Sequence, residues 1–222
     1  MSQHAPRSLP ARYAVLVPVK PPLVAKSRLA GLGDRARVDL AAAFAADTVA
    51  AALDCDRVAR VLVVCDDHAL AGSLADLGAD VLPDGAGDLN GTLVQAAAEM
   101  HRRDPELGLA AVCADLPALR PDELGLALSR ADPGAMSFVP DQDDVGTTAV
   151  IVSQVADFRP SFGPRSRDQH LSAGAVEVAG SDVPGLRRDV DDPDDLAVAL
   201  RLGVGRRTAM VTTALRLDPD RT

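Results

Sequence analysis

The chain has 222 residues, 47 % hydrophobic and 25 % charged, with a formal net charge of −9 at pH 7. That length admits one α/β domain with a sizeable core, and the acidic balance argues against nonspecific binding to nucleic acid or to anionic membranes. Cys55, Cys65 and Cys113 stand far apart in apolar runs without metal-type spacing, and read as buried free thiols of a reducing compartment. No apolar run reaches the roughly 18 residues of a membrane span, and the first twelve residues lack the long apolar stretch of a signal peptide. The expected location is cytoplasmic.

Residues 1–12 read as a loose leader. Ala14 to Val19 is an apolar, β-branched run of the length of a buried strand. It breaks at Lys20-Pro21-Pro22 into a loop carrying Lys20, Lys26 and Arg28. Those are the only two lysines in the chain, and no acid precedes Asp34. Such a segment suits a polyanion, since α/β sheets hold phosphates beyond the carboxyl ends of their strands. The plainer reading is a solvated loop. Asp34 to Leu53 has helical character, Val58 to Cys65 is a second strand, and His68 to Leu77 a helix closed by Gly78. Asp80 to Leu82 is a short strand running into the turn-rich Pro83–Asp88. Leu89-Asn90-Gly91-Thr92 opens a helix through about Arg103. Leu109 to Cys113 is a strand ending at Ala114-Asp115-Leu116-Pro117. Pro121 to Arg130 is a helix with proline in its first turn and acids just after.

This β-α alternation predicts an α/β fold with a mostly parallel sheet and helices on both faces. The rhythm then changes. Met136 to Val139 and Thr147 to Val152 are strands with no helix between them, predicting an antiparallel excursion. A loop Phe162-Gly163-Pro164-Arg165-Ser166 precedes a short helix around His170, Ala175 to Val178 is strand-like, and the Asp189–Leu196 stretch caps a last helix to about Leu202. One domain is expected over 13–205, with 206–222 a mobile tail.

Asp115 follows a buried strand directly, where a carboxylate reaches a cation; Mg²⁺ keeps several waters and needs few protein ligands. It also suits an N-cap. Asp189, Asp191 and Asp192 form an acidic knot. One of its members before Pro193 caps a helix, and adjacent carboxylates repel unless a cation neutralises them. Paired with Asp115, the knot predicts a Mg²⁺ site beside the basic loop. Gly146-Thr147-Thr148-Ala149 and the Phe162–Ser166 loop supply hydroxyls and close backbone approaches for a small anion, or are ordinary turns. His170 reads as a satisfied histidine rather than a catalyst. The chain holds no Gly-x-x-x-x-Gly-Lys-Ser/Thr loop, no Gly-x-Gly-x-x-Gly after the first strand, and no Gly-x-Ser-x-Gly elbow.

Taken in order, Val-Pro-Val-Lys with Ala-Lys-Ser-Arg-Leu, Leu-Asn-Gly, Asp-Leu-Pro-Ala-Leu, Gly-Thr-Thr-Ala, Phe-Gly-Pro-x-Ser-x-x-x-His and Asp-Val-Asp-x-Pro-x-Asp-Leu resemble the CofC and FbiD guanylyltransferases of coenzyme F-420 biosynthesis. These act on 2-phospho-L-lactate or phosphoenolpyruvate. The resemblance runs from Tyr13 to Gly205 and implies a Rossmann-like, GT-A-type nucleotidyltransferase fold. It implies that Lys20, Lys26 and Arg28 hold the GTP phosphates and that Asn90 lies near the guanine. It implies Mg²⁺ on Asp115 with Asp189 or Asp191, and phosphoenolpyruvate on Thr148, Gly163 and Ser166. Lys20, Lys26 and Asp115 would carry catalysis. Pro21-Pro22 and Asp192, where threonine is common, depart from the pattern and remove no candidate group.

The arginine- and alanine-rich, nearly lysine-free composition suits a high-GC actinobacterium, and resemblance to the actinobacterial branch of the family implies phosphoenolpyruvate rather than 2-phospholactate. The implied product is enolpyruvyl-diphospho-5′-guanosine, passed to the transferase that joins it to the deazaflavin precursor. The rivals are 2-phospho-L-lactate or 3-phosphoglycerate as acceptor, a molybdenum-cofactor or sugar-phosphate nucleotidyltransferase, and a GTP-binding scaffold without turnover.

Overall fold

The structure, a computed structural model, describes residues 12–21, 26–178 and 180–217. The leader therefore lies almost wholly outside the described residues, as does Pro22 of the basic loop.

Among the described residues the core is one seven-stranded sheet. Its strands are β1 (Tyr13–Pro18), β2 (Val58–Val64), β3 (Asp80–Leu82), β4 (Gly108–Val112), β5 (Ser137–Pro140), β6 (Thr147–Val152) and β7 (Val176–Glu177). They lie in the order β3-β2-β1-β4-β6-β5-β7. Neighbours β1 to β4 are parallel, and β6 runs antiparallel between β4 and β5. The excursion expected after residue 136 is thus an insertion into the main sheet. Helices α1 (Asp34–Leu53), α2 (His68–Ala75), α3 (Leu89–Arg103), α4 (Pro121–Arg130) and α5 (Ser166–Ser172) follow the rhythm read from the sequence. After them come α6 (Pro184–Arg187), α7 (Pro193–Leu202) and α8 (Arg206–Leu215).

The strand pattern decides which side each helix covers. In β1, Tyr13, Val15 and Val17 join a core with residues of α1, α2, α4 and α6, whereas Ala14 and Leu16 join one with Leu93, Ala96, Ala97 and Met100 of α3. Every residue from Tyr13 to Val17 is buried. That accounts for an unbroken apolar run in place of alternation, since both faces of a central parallel strand are covered. Polar side chains start the helices: Asp67 accepts from Leu70 N, Asp88 from Gly91 N and Asp192 from Asp195 N.

The chain leaves β1 on one side for β2 and returns on the other to place β4 beside it. A crevice opens at such a reversal beyond the carboxyl ends of the strands. The residues reaching it are those after Pro18 and after Val112.

Beyond Gly205, where a tail was expected, Arg206–Leu215 form the helix α8, packed on α1. Its cap is the Asp47 carboxylate of α1, which accepts from Arg207 N at 3.0 Å and Thr208 N at 2.8 Å. A Cβ on Gly205 would sit 2.3 Å from Asp47 Cγ, so glycine alone fits there. A cap supplied from so far upstream leaves no start signal beside the helix it starts.

Candidate active site

Lys26 stands at the centre of the crevice. Its Nζ donates to Asp115 Oδ2 and, at 2.7 Å, to Asp191 Oδ1, with its side chain only 10 % exposed. Asp115 comes off β4, Asp191 precedes α7, and Lys26 belongs to the loop leaving β1. Three distant stretches therefore meet on one ammonium. Burial opposes the charge on Lys26, and the two carboxylates outweigh it, holding the ammonium above its ordinary value. Burial likewise opposes the charge on Asp191, but Lys26, Arg28 and Lys20 favour it more, so that carboxyl lies below its usual range. Arg28 Nη1 is 3.9 Å from Asp191 Oδ2, and Lys20 is exposed. Lys26 itself has φ 54°, a left-handed conformation rare for a side-chain-bearing residue and characteristic of functional loops.

The turn carrying Asp115 is fixed from both sides. Thr48 on α1, fully buried, donates to Ala114 O at 3.3 Å and accepts from Leu116 N at 3.1 Å. Val190 N donates to Asp115 O at 3.1 Å, drawing the acidic knot against this turn. Asp189 is pushed up to about 7 by burial and then by Asp115, Asp191 and Asp141, with Lys26 offsetting part of the effect. Among the described residues Asp115 Oδ1 is buried without a hydrogen-bond partner. An orphaned carboxylate oxygen among crowded acids is the donor set that a divalent cation with oxygen ligands satisfies. Among the described residues no group of three or more acidic, histidine or cysteine side chains is placed to hold a metal ion. A cation on Asp115 would rest on one or two carboxylates and take its remaining ligands from water and phosphate.

Cys113 borders the same cluster. Burial, then the charges of Asp115 and Asp189, push its thiol far up, so it stands as an inert neutral group. All three cysteines are free; Cys55 and Cys65 are buried and Cys113 is partly exposed.

A second group of residues surrounds the start of α5. Thr148, buried on β6, accepts a bond from Cys113 N at its carbonyl, two residues before Asp115. Among the described residues its hydroxyl has only a long 3.5 Å contact to Val139 O. Gly163 has φ 138°, which L side chains rarely adopt, and its carbonyl accepts from Ser166 N. Ser166 Oγ is buried and has no hydrogen-bond partner among the described residues. His170, fully buried, accepts from Ser161 N at Nε2, 3.0 Å, which leaves the proton on Nδ1 facing Thr147 Oγ1 at 3.0 Å. Burial lowers its imidazole to about 4, so it is neutral near pH 7.

The side chain of Asn90 is hydrogen-bonded to the loop before α5. Its Nδ2 donates to Phe162 O at 3.0 Å and its Oδ1 accepts from Phe162 N at 2.8 Å. The amide is engaged in both directions by the backbone of the Phe162 loop. A hollow of about 150 Å³ does open beside it, bordered by Pro18, Lys20, Asp66, Asp84, Asp88 and Thr92.

The structure thus unites Lys26, Asp115, Asp191 and Arg28 directly, and Lys20 and Asp189 through their fields. Sequence reasoning gave no role to Thr48 or to the Asn90–Phe162 pairing. A lone threonine within an alanine-rich buried helix was the available signal for the first; the second joins residues 72 apart and left no local trace.

A family model described as guanylyl transferase CofC like matches residues 13–220. The chain belongs to this family. A phosphoenolpyruvate guanylyltransferase from Thermomonospora curvata is 48 % identical over 204 residues, 91 % of this chain and 90 % of the relative. One from Streptosporangium roseum is 44 % identical over 216 residues, 97 % of each. Among solved structures, a nucleotidyl transferase from Methanothermobacter overlays with a TM-score of 0.57 at 15 % identity, covering 86 % of this chain and 97 % of that one. A 4-diphosphocytidyl-2C-methyl-D-erythritol synthase does so with a TM-score of 0.57 at 14 % identity, covering 88 % and 100 %. These two overlays establish the α/β nucleotidyltransferase fold. The Asp115 and Lys26 regions lie inside the matched CofC-like span.

Proposed function

We propose that this CofC-like chain transfers the guanylyl group of GTP to the phosphate of phosphoenolpyruvate, giving enolpyruvyl-diphospho-5′-guanosine and diphosphate for coenzyme F-420 assembly. The observation that carries the reading is the Lys26 ammonium held between Asp115 and Asp191 at the switch point of the sheet. High identity to phosphoenolpyruvate guanylyltransferases over nearly the whole chain supports the choice of acid.

The acid's phosphate is ionised at neutral pH and attacks the α-phosphorus; the bond to the diphosphate breaks. No general base is required, which agrees with a histidine kept neutral and fully hydrogen-bonded at His170. Positioning and charge neutralisation supply the rate. Lys26, with Lys20 and Arg28, would bind the triphosphate and stabilise the departing diphosphate. Thr148 and Ser166 would bind the acid by hydroxyls that lack strong partners, and Gly163 would let its backbone approach. Asp115, with Asp189 or Asp191, would hold Mg²⁺, which when bound neutralises charge on phosphate oxygens. Among the described residues no helix is long and apolar enough to cross a membrane. The product would pass, in the cytoplasm, to the transferase that joins it to the deazaflavin precursor.

Diphosphate release, measured with GTP, Mg²⁺ and each candidate acid, tests this reading. Phosphoenolpyruvate should support release about tenfold or more faster than 2-phospho-L-lactate or 3-phosphoglycerate, given the few kcal/mol that one pocket discriminates. No release with any of the three overturns it.

A further inference from the structure

The loop that opens α5 is held by two side chains from separate elements gripping consecutive peptide groups. His170 Nε2 accepts from Ser161 N at 3.0 Å, and Asn90 both accepts from and donates to Phe162, at 2.8 and 3.0 Å. The Phe162 ring meets the His170 ring edge-on, centroids 6.0 Å apart, and His170 also stacks on Phe138 of β5. Immediately beyond the grip come Gly163 and Ser166. Both belong to a backbone with two left-handed residues, Gly163 at φ 138° and Arg165 at φ 55°. Such a path persists only where its surroundings over-determine it. Asn90 stands in the first turn of α3, whose Asp88, Leu89 and Thr92 border the hollow beside Lys20. A side chain placed there could have served a base; its amide serves the loop instead.

We propose that Asn90 is a positioning residue for the acid substrate, acting through Phe162 on Gly163 and Ser166, and that it makes no contact with the nucleobase. This rests on the reading of Gly163 and Ser166 as acid-binding. The amide satisfies the Phe162 N–H and C=O together, as a neighbouring β-strand would, which is the geometry only Asn or Gln side chains can supply. With it, Ser166 Oγ is presented in one orientation, buried and unpaired. Without it, the Phe162 peptide loses both partners and the loop samples other paths.

The test compares wild type with Asn90→Ala and Asn90→Asp in two measurements. The first is steady-state diphosphate release with GTP and phosphoenolpyruvate varied separately. The second is backbone hydrogen exchange of the Ser161–Phe162 segment in the substrate-free protein. Both variants should raise KM for phosphoenolpyruvate about tenfold, leave KM for GTP within about twofold, and speed exchange at Phe162, because a loop must be ordered before it binds. A rise in KM for GTP with the acid unaffected makes Asn90 a nucleotide contact and overturns the proposal. So does unchanged exchange at Phe162. Wild type that releases no diphosphate refutes the proposed reaction, while the exchange measurement still decides the grip on the loop.

Discussion

Lys26 meets Asp115 and Asp191 as ions, whereas Asn90 and His170 hold Ser161 and Phe162 by neutral hydrogen bonds. Under the proposed reading the charged end of the site and its neutral end face different demands. A triphosphate brings several negative charges and loses one of its bonds, so the groups beside it must carry charge through the reaction. The acid is a small anion that must be aimed, and the groups proposed to surround it are hydroxyls, a glycine and a pinned backbone. Buried ions are costly unless paired, and removing one partner strands the other. Neutral bonds contribute less each, about 1 kcal/mol net, and are individually more dispensable. The charged end should therefore respond to substitution steeply and the neutral end gradually.

Asp115→Asn should give the largest effect. We expect kcat to fall more than about 10³-fold with the circular dichroism spectrum unchanged, the scale of losing a charge-stabilising group. A rate near wild type would remove Asp115 from the charged end.

His170 offers the sharpest view of the neutral end. Its imidazole lies at about 4 in the folded protein, against about 6.5 unfolded. The unfolded chain therefore binds more protons between those values. Stability contributed by the neutral imidazole is complete above about 6.5 and lost as pH falls toward about 4, by about 3 kcal/mol. Asp189, raised to about 7, takes up a proton in the folded state over the same range and opposes this slope, so the His170 contribution is read as the difference between wild-type and His170→Gln urea midpoints measured from pH 7 to pH 4. The same slope in both would mean that other groups carry it.

Ser166→Ala should raise KM for phosphoenolpyruvate about tenfold and spare that for GTP, the loss of one hydrogen bond to a charged ligand. Equal effects on both substrates would dissolve the distinction between the two ends. Thr48→Val should lower kcat about fivefold with both KM values nearly constant, since it loosens the turn behind Asp115 by two neutral bonds. Thr48→Ser should restore the rate; failure of that rescue would make Thr48 a packing residue.

The sequence made the charged end largely legible. Lys20 and Lys26 are the only lysines, they stand in an acid-free stretch after an apolar strand, and Asp115 and the Asp189–Asp192 knot lie at element ends. Charge is conspicuous when it breaks an apolar pattern. The parallel sheet was legible for the same reason: unbroken runs such as Tyr13–Val17 mark strands covered on both faces. What stayed hidden depends on pairings between distant residues. α8 starts on Asp47, Asp115 is steadied by Thr48, and Asn90 closes on Phe162. In each case a common residue type acquires its role only when the fold brings its partner alongside. That Lys26 would sit between two carboxylates, rather than merely near them, was likewise a matter of packing.

Lys26 is proposed as the group shared by the carboxylates and the triphosphate. The direct measurement is the GTP dependence of diphosphate release by Lys26→Ala, made on protein whose circular dichroism spectrum matches wild type. Loss of a charge-assisted phosphate contact predicts KM for GTP raised about 100-fold, with that for phosphoenolpyruvate within about threefold. Unaltered GTP kinetics would contradict it, leaving Lys26 as a structural cation and the triphosphate elsewhere.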